Sequence, residues 1–267
     1  MYKFVNYKMK EKEVIQHITN WISNYSEKSN TNGFVVGISG GIDSALTSTI
    51  SALSGKPTLC IEMPIYQNKQ QVERGKNHIR WLQENFKNIN SMEIDLSNVF
   101  QSFTSKIPSS YKEKNDLSLV NVRARLRMTT LYYFAQINNY LVLGTGNKVE
   151  DFGVGFFTKF GDGGVDISPI ADLLKSEVFE LARYHKIIDE IISAKPTDGL
   201  WNDNRTDEEQ IGATYDELEK AMLQELKSEV NLSQREIEVM SIYKSFNSSN
   251  RHKMVPIPVC AIPKDYI

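Results

Sequence analysis

Residues 34–48 read FVVGISGGIDSALTS. An apolar run stops at a Ser-Gly-Gly turn, and an acid and a second serine follow almost at once. The pattern predicts a short buried strand, FVVGIS, a tight turn, and a helix over residues 43–53. Between strand and helix, Ser39-Gly40-Gly41-Ile42-Asp43-Ser44 aims successive backbone N–H groups and a helix N-terminus at an anion. Gly40 and Gly41 permit positive φ and close approach of the backbone, and Ser39 and Ser44 add hydroxyl donors. The spacing is not that of a Walker A loop, and GxGxxG is absent. An acid inside an anion-binding loop needs a cation between the two, so Asp43 reads as a Mg²⁺ ligand bridged to phosphate. The bland alternative is a Gly-rich turn that only joins strand to helix.

Working outward, residues 11–25 place Val14, Ile15, Ile18, Trp21, Ile22 and Tyr25 on one helical face. TLCIEMP reads as a second strand, VERGKNHIRWLQENF as a helix, SMEIDL as a third strand, and LSLVNVRARLRMTTLYYFAQI as a long helix before the apolar strand YLVLGT. Strands alternating with helices predict an α/β fold: a doubly wound, Rossmann-like parallel sheet with helices on both faces and ligands at the strand C-termini. Residues 144–170 carry Gly, Asp and Phe without a period and read as a functional loop. SEVFELARYH, TDEEQIGATYDELEKAM and SQREIEVMSIYKSF then read as three helices. Residues 104–116 and 198–207 read as polar surface loops, with active-site lids as the alternative reading. The expected organisation is a single domain over 1–267: an N-terminal helix at 8–30, a nucleotide-binding core at 33–200 and a helical part at 205–267.

The chain has 267 residues, 40% hydrophobic and 24% charged, with a formal net charge of -2. That balance argues against a general nucleic-acid binder. Cys60 and Cys260 lie in apolar settings without metal-ligand spacing and are expected to be buried free thiols. No apolar run is long enough to span a bilayer and no signal-like segment opens the chain, so the expected compartment is cytoplasmic. His17, His78 and His185 fall on amphipathic helices and are expected at or near the surface.

Arg123, Arg125 and Arg127 alternate and fan around their helix, with Ala124, Leu126 and Met128 between them, so at least one guanidinium is expected to enter a site. A solvated basic face is the plainer reading. Thr145 and Glu150 follow the fourth strand, where an α/β site belongs, and Glu150 is placed to add a second carboxylate to the cation on Asp43. FFTKFGDGGVD brings three aromatics, a lysine and two acids into one loop, suited to a heteroaromatic ring, a ribose and a phosphate. A core-packing Phe cluster has the same local appearance.

SGGIDS resembles the pyrophosphate-binding loop of the N-type ATP pyrophosphatases. GTGNKVED, GFFTKFGDGGVDISPI, ARLRM, KPTDGLW…TDEE and HK together resemble the ammonia-dependent NAD synthetases, over about 33–253. The resemblance implies amidation of deamido-NAD by ammonia, with ATP going to AMP and pyrophosphate and Mg²⁺ as cofactor. It implies ATP contacts at Gly37, Ile38, Ser39, Gly40, Gly41, Ile42, Asp43, Ser44, Thr145, Lys175 and Thr197. It places Mg²⁺ on Asp43 and Glu150, and deamido-NAD on Arg125, Lys159, Asp166, His252 and Lys253. Asp43, Lys175 and Thr145 are the implied catalytic residues. Where the family pattern has an arginine after HK, this chain has Met254, and Val120 stands where a glycine is common, which questions the local helix start. A homodimer with the acceptor site at its interface is implied as well. The 33 residues before Phe34 are too few for a glutaminase domain, so free ammonia is the expected nitrogen source. A tRNA-thiolating pyrophosphatase would want reactive cysteines or a basic RNA surface. A nucleotide-binding module without catalysis would not need Asp43, Glu150 and Lys175 together.

Overall fold

In the computed structural model, which describes residues 9–112, 116–197, 199, 205–225 and 231–266, the apolar run ahead of the SGG turn is an inner strand of a parallel sheet. The elements are α1 (Glu11–Lys28), β1 (Gly33–Ile38), α2 (Ile42–Leu53), β2 (Thr58–Glu62), α3 (Lys69–Asn85), β3 (Ile89–Glu93), α4 (Ser97–Ser105), α5 (Ser109–Lys112), α6 (Asp116–Asn138) and β4 (Tyr140–Val142). A π-helix (Val149–Val154) follows, then α7 (Lys175–Tyr184), α8 (Asp189–Ile192), α9 (Asp207–Ile211), α10 (Tyr215–Glu225) and α11 (Gln234–Met254). The strand order is β3-β2-β1-β4, all parallel.

Strand periodicity divides the core. Phe34, Val36 and Ile38 face α1, α2, α3 and α7, in a cluster with Ile22, Leu46, Ile50, Leu82 and Leu181. Val35 faces the other side, with Ile61, Phe100, Met128 and Leu131 from β2, α4 and α6. Gly37 lies on that side too, where a β-carbon would stand 3.4 Å from Leu131 Cδ1. Helices therefore cover both faces, as the alternating pattern predicts. A third cluster joins Val149 and Val154 of the π-helix to Leu218, Val239 and Tyr243 of α10 and α11.

Several expectations are corrected. Residues 104–116 are not a loop: α4 and α5 occupy most of the described part, and Phe100 of α4 is buried under the sheet. Their polar sequence hid helices that need only one apolar anchor. Residues 113–115, 198 and 200–204 of the two predicted surface loops lie outside the described residues. TDEEQIGATYDELEKAM is two helices, because Gly212 adopts φ +87 and ends α9. Thr206 starts that helix with a capping box to Glu209. The third strand begins at Ile89, two residues earlier than expected, and Val120 lies inside α6. Cys60 is buried but Cys260 is exposed, within a C-terminal stretch, residues 256–266, that is exposed throughout. His78 is buried, not superficial, and its ring hydrogen-bonds to Ser48 Oγ at 2.9 Å. Burial pushes that imidazole down to about 4, so it packs as a neutral ring.

Candidate active site

Because β1 has β2 on one side and β4 on the other, the chain leaves the sheet in opposite directions at their C-terminal ends. A crevice opens there, where α/β sheets bind ligands. It is a cleft of about 240 Å³ lined by Gly37 to Ser44, Thr145, Glu150, Lys175 and Thr197. Every residue that the family resemblance assigns to ATP therefore borders one space.

The loop is held from within and from without. Ser39 N–H donates to Ser44 Oγ at 3.2 Å, Gly41 N–H donates to Ser39 Oγ at 3.2 Å, and Ser44 Oγ donates to the Gly41 carbonyl at 3.0 Å. The two hydroxyls shape the loop instead of standing free as donors. From α3, Arg74 Nε donates to the Gly40 carbonyl at 3.3 Å. Gly40 has φ +78, and a β-carbon there would lie 2.4 Å from the Gln71 carbonyl oxygen. Only glycine fits that contact.

Behind the loop sits a charged knot. Lys175 Nζ donates to Asp43 Oδ2 at 2.6 Å and to Glu150 Oε1 at 2.9 Å, and Lys175 is 2% exposed. Asn147 Nδ2 donates to Asp43 Oδ1 at 3.0 Å, while its Oδ1 accepts the N–H groups of Val149 and Glu150. Tyr215 donates its hydroxyl to Glu150, shares it with Asp207, and lays its ring under the Lys175 ammonium. Burial alone would discharge the lysine, but Asp43 and Glu150 outweigh it and hold the ammonium above its ordinary value. Burial also pushes Glu150 up, yet Lys175 and the hydrogen bonds prevail and the net shift is down. At Asp43 burial prevails over Lys175, with Glu150 adding to it, and the carboxyl moves up. Tyr215 is raised by burial and then by Glu150 and Asp207, so its hydroxyl stays a donor.

Asp43 and Glu150 thus converge on one cation already, and their hard oxygens are the donor type that Mg²⁺ takes from protein while keeping water and phosphate oxygens. The donor set fits such an ion.

The predicted acceptor residues are placed less uniformly. Lys253 lines a second cleft of about 180 Å³ that shares Gly146, Asp151, Phe157, Asp162 and Val165 with the first. Its ammonium donates to the Phe157 carbonyl at 2.7 Å. Arg125 Nε donates to the Lys159 carbonyl, and Lys159 Nζ to the His252 carbonyl, so these three share one exposed patch. Asp166 is engaged elsewhere, accepting from Val142 N–H at 2.8 Å and Tyr132 hydroxyl at 3.0 Å. Of the three alternating arginines, Arg127 enters the main cleft, with Nε on the Met63 carbonyl at 3.0 Å. Arg123 lies over the Phe100 ring.

The NAD synthase family profile matches residues 14–256. The chain belongs to the NAD synthase family. It is 38% identical over 216 residues to the NH(3)-dependent NAD(+) synthetase of Carboxydothermus hydrogenoformans, covering 79% of this chain and 85% of that one. To the NH(3)-dependent NAD(+) synthetase of Syntrophomonas wolfei it is 35% identical over 260 residues, 96% of this chain and 99% of the relative. The solved NMN synthetase of Francisella tularensis matches with a TM-score of 0.82 and 32% identity, over 96% of this chain and 100% of that one. As a NAD synthase family member the chain is an ATP-using ligase. Among the described residues, no helix is long and apolar enough to cross a membrane.

Sequence reasoning missed Asn147, Asp207 and Tyr215. Asn147 stands inside the GTGN stretch after β4, where strand-end position was a usable signal. Tyr215 carried none: it reaches the site only because Gly212 ends one helix and lets the next begin there.

Proposed function

We propose that this NAD synthase family member amidates deamido-NAD with ammonia, at the expense of ATP, through an adenylated acceptor. The convergence of Asp43, Glu150 and Lys175 behind the glycine loop carries the reading. A carboxylate is a poor electrophile, so the nicotinate oxygen first attacks the α-phosphorus of ATP and the bond to pyrophosphate breaks. Ammonia then attacks the activated carbonyl carbon, the C–O bond to AMP breaks, and the nitrogen loses its proton. Backbone N–H groups from Ser39 to Ser44 hold the phosphates, and Lys175 neutralises charge that builds on the leaving pyrophosphate. Asn147 and Tyr215 keep the two carboxylates aimed. Asp43 and Glu150 would hold Mg²⁺, which supplies charge neutralisation to the phosphates when bound. Positioning two anionic substrates in line is most of the work, and no side-chain nucleophile is required. Arg125, Lys159, His252 and Lys253 are the acceptor contacts we favour; Asp166 acts indirectly, through its hydrogen bonds with Tyr132 and Val142.

The similarity to a protein described as an NMN synthetase supports a second reading, in which the acceptor is nicotinic acid mononucleotide. A homodimer fits the exposed aromatic and aliphatic side chains of α6, Tyr133 and Ile137, each 62% accessible. The test is parallel turnover with deamido-NAD and with nicotinic acid mononucleotide, given Mg-ATP and ammonium or glutamine. Faster turnover of the dinucleotide with ammonium supports the first reading; faster turnover of the mononucleotide replaces it with the second.

A further inference from the structure

Glu62 closes β2 on the same side of the sheet as Cys60, beneath α3. It is 5% exposed and belongs to the wall of the main cleft. Its Oε1 lies 2.9 Å from where a β-carbon would stand on Gly75, so the carboxylate rests against helix backbone that has no side chain there. Among the described residues, none donates a hydrogen bond to it. The cation next to it in the chain fold, Lys76, gives its ammonium to Glu93 at 2.8 Å. Arg74, on the same turn of α3, gives Nε to Gly40.

A buried carboxylate without donors is costly, and it is rare unless something else supplies them. Here the open side is the nucleotide cleft. Phosphate is not the partner, since it brings no donor and repels a carboxylate, and the loop N–H groups and Lys175 already define the phosphate end. Past the end of β2 the cleft wall continues with Met63 and Pro64, and with Met128 and Leu131 from the other face of the sheet. That is apolar surface suited to a base, with one strong acceptor at its edge. The donors that ATP offers are the ribose hydroxyls and the exocyclic amine of adenine.

We propose that Glu62 is a specificity-determining residue for the adenosine half of ATP, its carboxylate accepting a hydrogen bond from a ribose hydroxyl or from the adenine amine. The proposal rests on reading this cleft as the ATP site. Gly75 is then part of the same device, because any side chain there would displace the carboxylate.

The experiment compares kcat/KM for ATP, 2′-deoxy-ATP, 3′-deoxy-ATP and purine riboside triphosphate, which lacks the amine, at saturating ammonium and acceptor. Wild-type protein, Glu62→Gln and Glu62→Ala are run side by side, with thermal melting as the check on folding. A charge-assisted hydrogen bond predicts that the wild type loses roughly 10- to 100-fold on one of the three analogues. Glu62→Ala should lose a similar factor on ATP, treat ATP and that analogue alike, and leave the KM of ammonium unchanged. The three analogues separate ribose from base. Wild type that uses all four nucleotides equally overturns the proposal whatever the variants do. So does a Glu62→Ala loss of equal size on all four, which marks a structural residue. Absence of any wild-type turnover with ATP strikes the ATP-site reading itself, a result visible before a variant is made.

Discussion

Lys175 and Asp43 are 132 residues apart in the chain and 2.6 Å apart in the fold, with Glu150 2.9 Å away on the other side of the same ammonium. The lysine is the first residue of α7 and the aspartate the second of α2, so two helix starts meet across the end of the sheet. Lys175→Met leaves two buried carboxylates facing each other. Removing one partner of a buried pair costs about 3–5 kcal/mol. The variant should melt earlier than wild type and release pyrophosphate at least about 100-fold more slowly. Millimolar Mg²⁺ should raise its melting point more than that of wild type, because a second cation then replaces the lost one. Equal Mg²⁺ shifts in the two proteins would show that the carboxylates are not a cation site.

Gly40 and Gly55 make a paired test of the loop. Both have positive φ, +78 and +73, but a β-carbon on Gly55 meets nothing within 4 Å, whereas on Gly40 it meets the Gln71 carbonyl at 2.4 Å. Gly55→Ala should cost only the backbone penalty, about 1 kcal/mol. Gly40→Ala must move α3 or the loop as well, so it should cost more and raise the KM of ATP. Denaturant titrations and ATP saturation curves check both. Equal losses at the two sites would mean that the α3 contact gives way freely.

The same contrast shows what the sequence could disclose. The glycine loop, the strand before it and the helix after it form a contiguous pattern, and the alternation of Phe34, Val35 and Val36 fixes which residue faces which layer. That Thr145 and Glu150, in the segment after β4, line the cleft follows from the fold class. Lys175 came through family resemblance, not through local chemistry. Tyr215 and Asp207 were beyond reach, since their place depends on a helix break at Gly212 and on the packing of α10 against the π-helix. Glu62 was hidden for another reason: an acid at the end of a buried strand looks like an exposed strand edge until Gly75 is placed over it.

Tyr215→Phe removes one hydroxyl and nothing else. Glu150 loses a hydrogen bond, Asp207 loses a longer one at 3.3 Å, and the ring stays under Lys175. The expected cost is about 1–3 kcal/mol of stability, because both acceptors lie in a desolvated setting. Urea denaturation measures it. No change in midpoint would mean that water takes over the contact without loss.

Glu62 gives the last expectation, with its sign set by burial. Desolvation pushes its carboxyl from an ordinary 4.5 up to about 7; Lys76 of α3 opposes this, while Glu93 of β3 and Glu73 of α3 add to it. Between those values the folded protein holds a proton that the unfolded chain has released, so stability falls as pH rises from about 4.5 to about 7 and stays lower above. Glu62→Gln keeps the shape and removes the titration. It should match wild type at about pH 4 and exceed it at about pH 8 by about 1–3 kcal/mol, in urea titrations at the two pH values with no nucleotide present. A variant that differs from wild type equally at both pH values would show that Glu62 is already paired or solvated in the folded protein, and the acceptor role proposed for it would lose its physical basis.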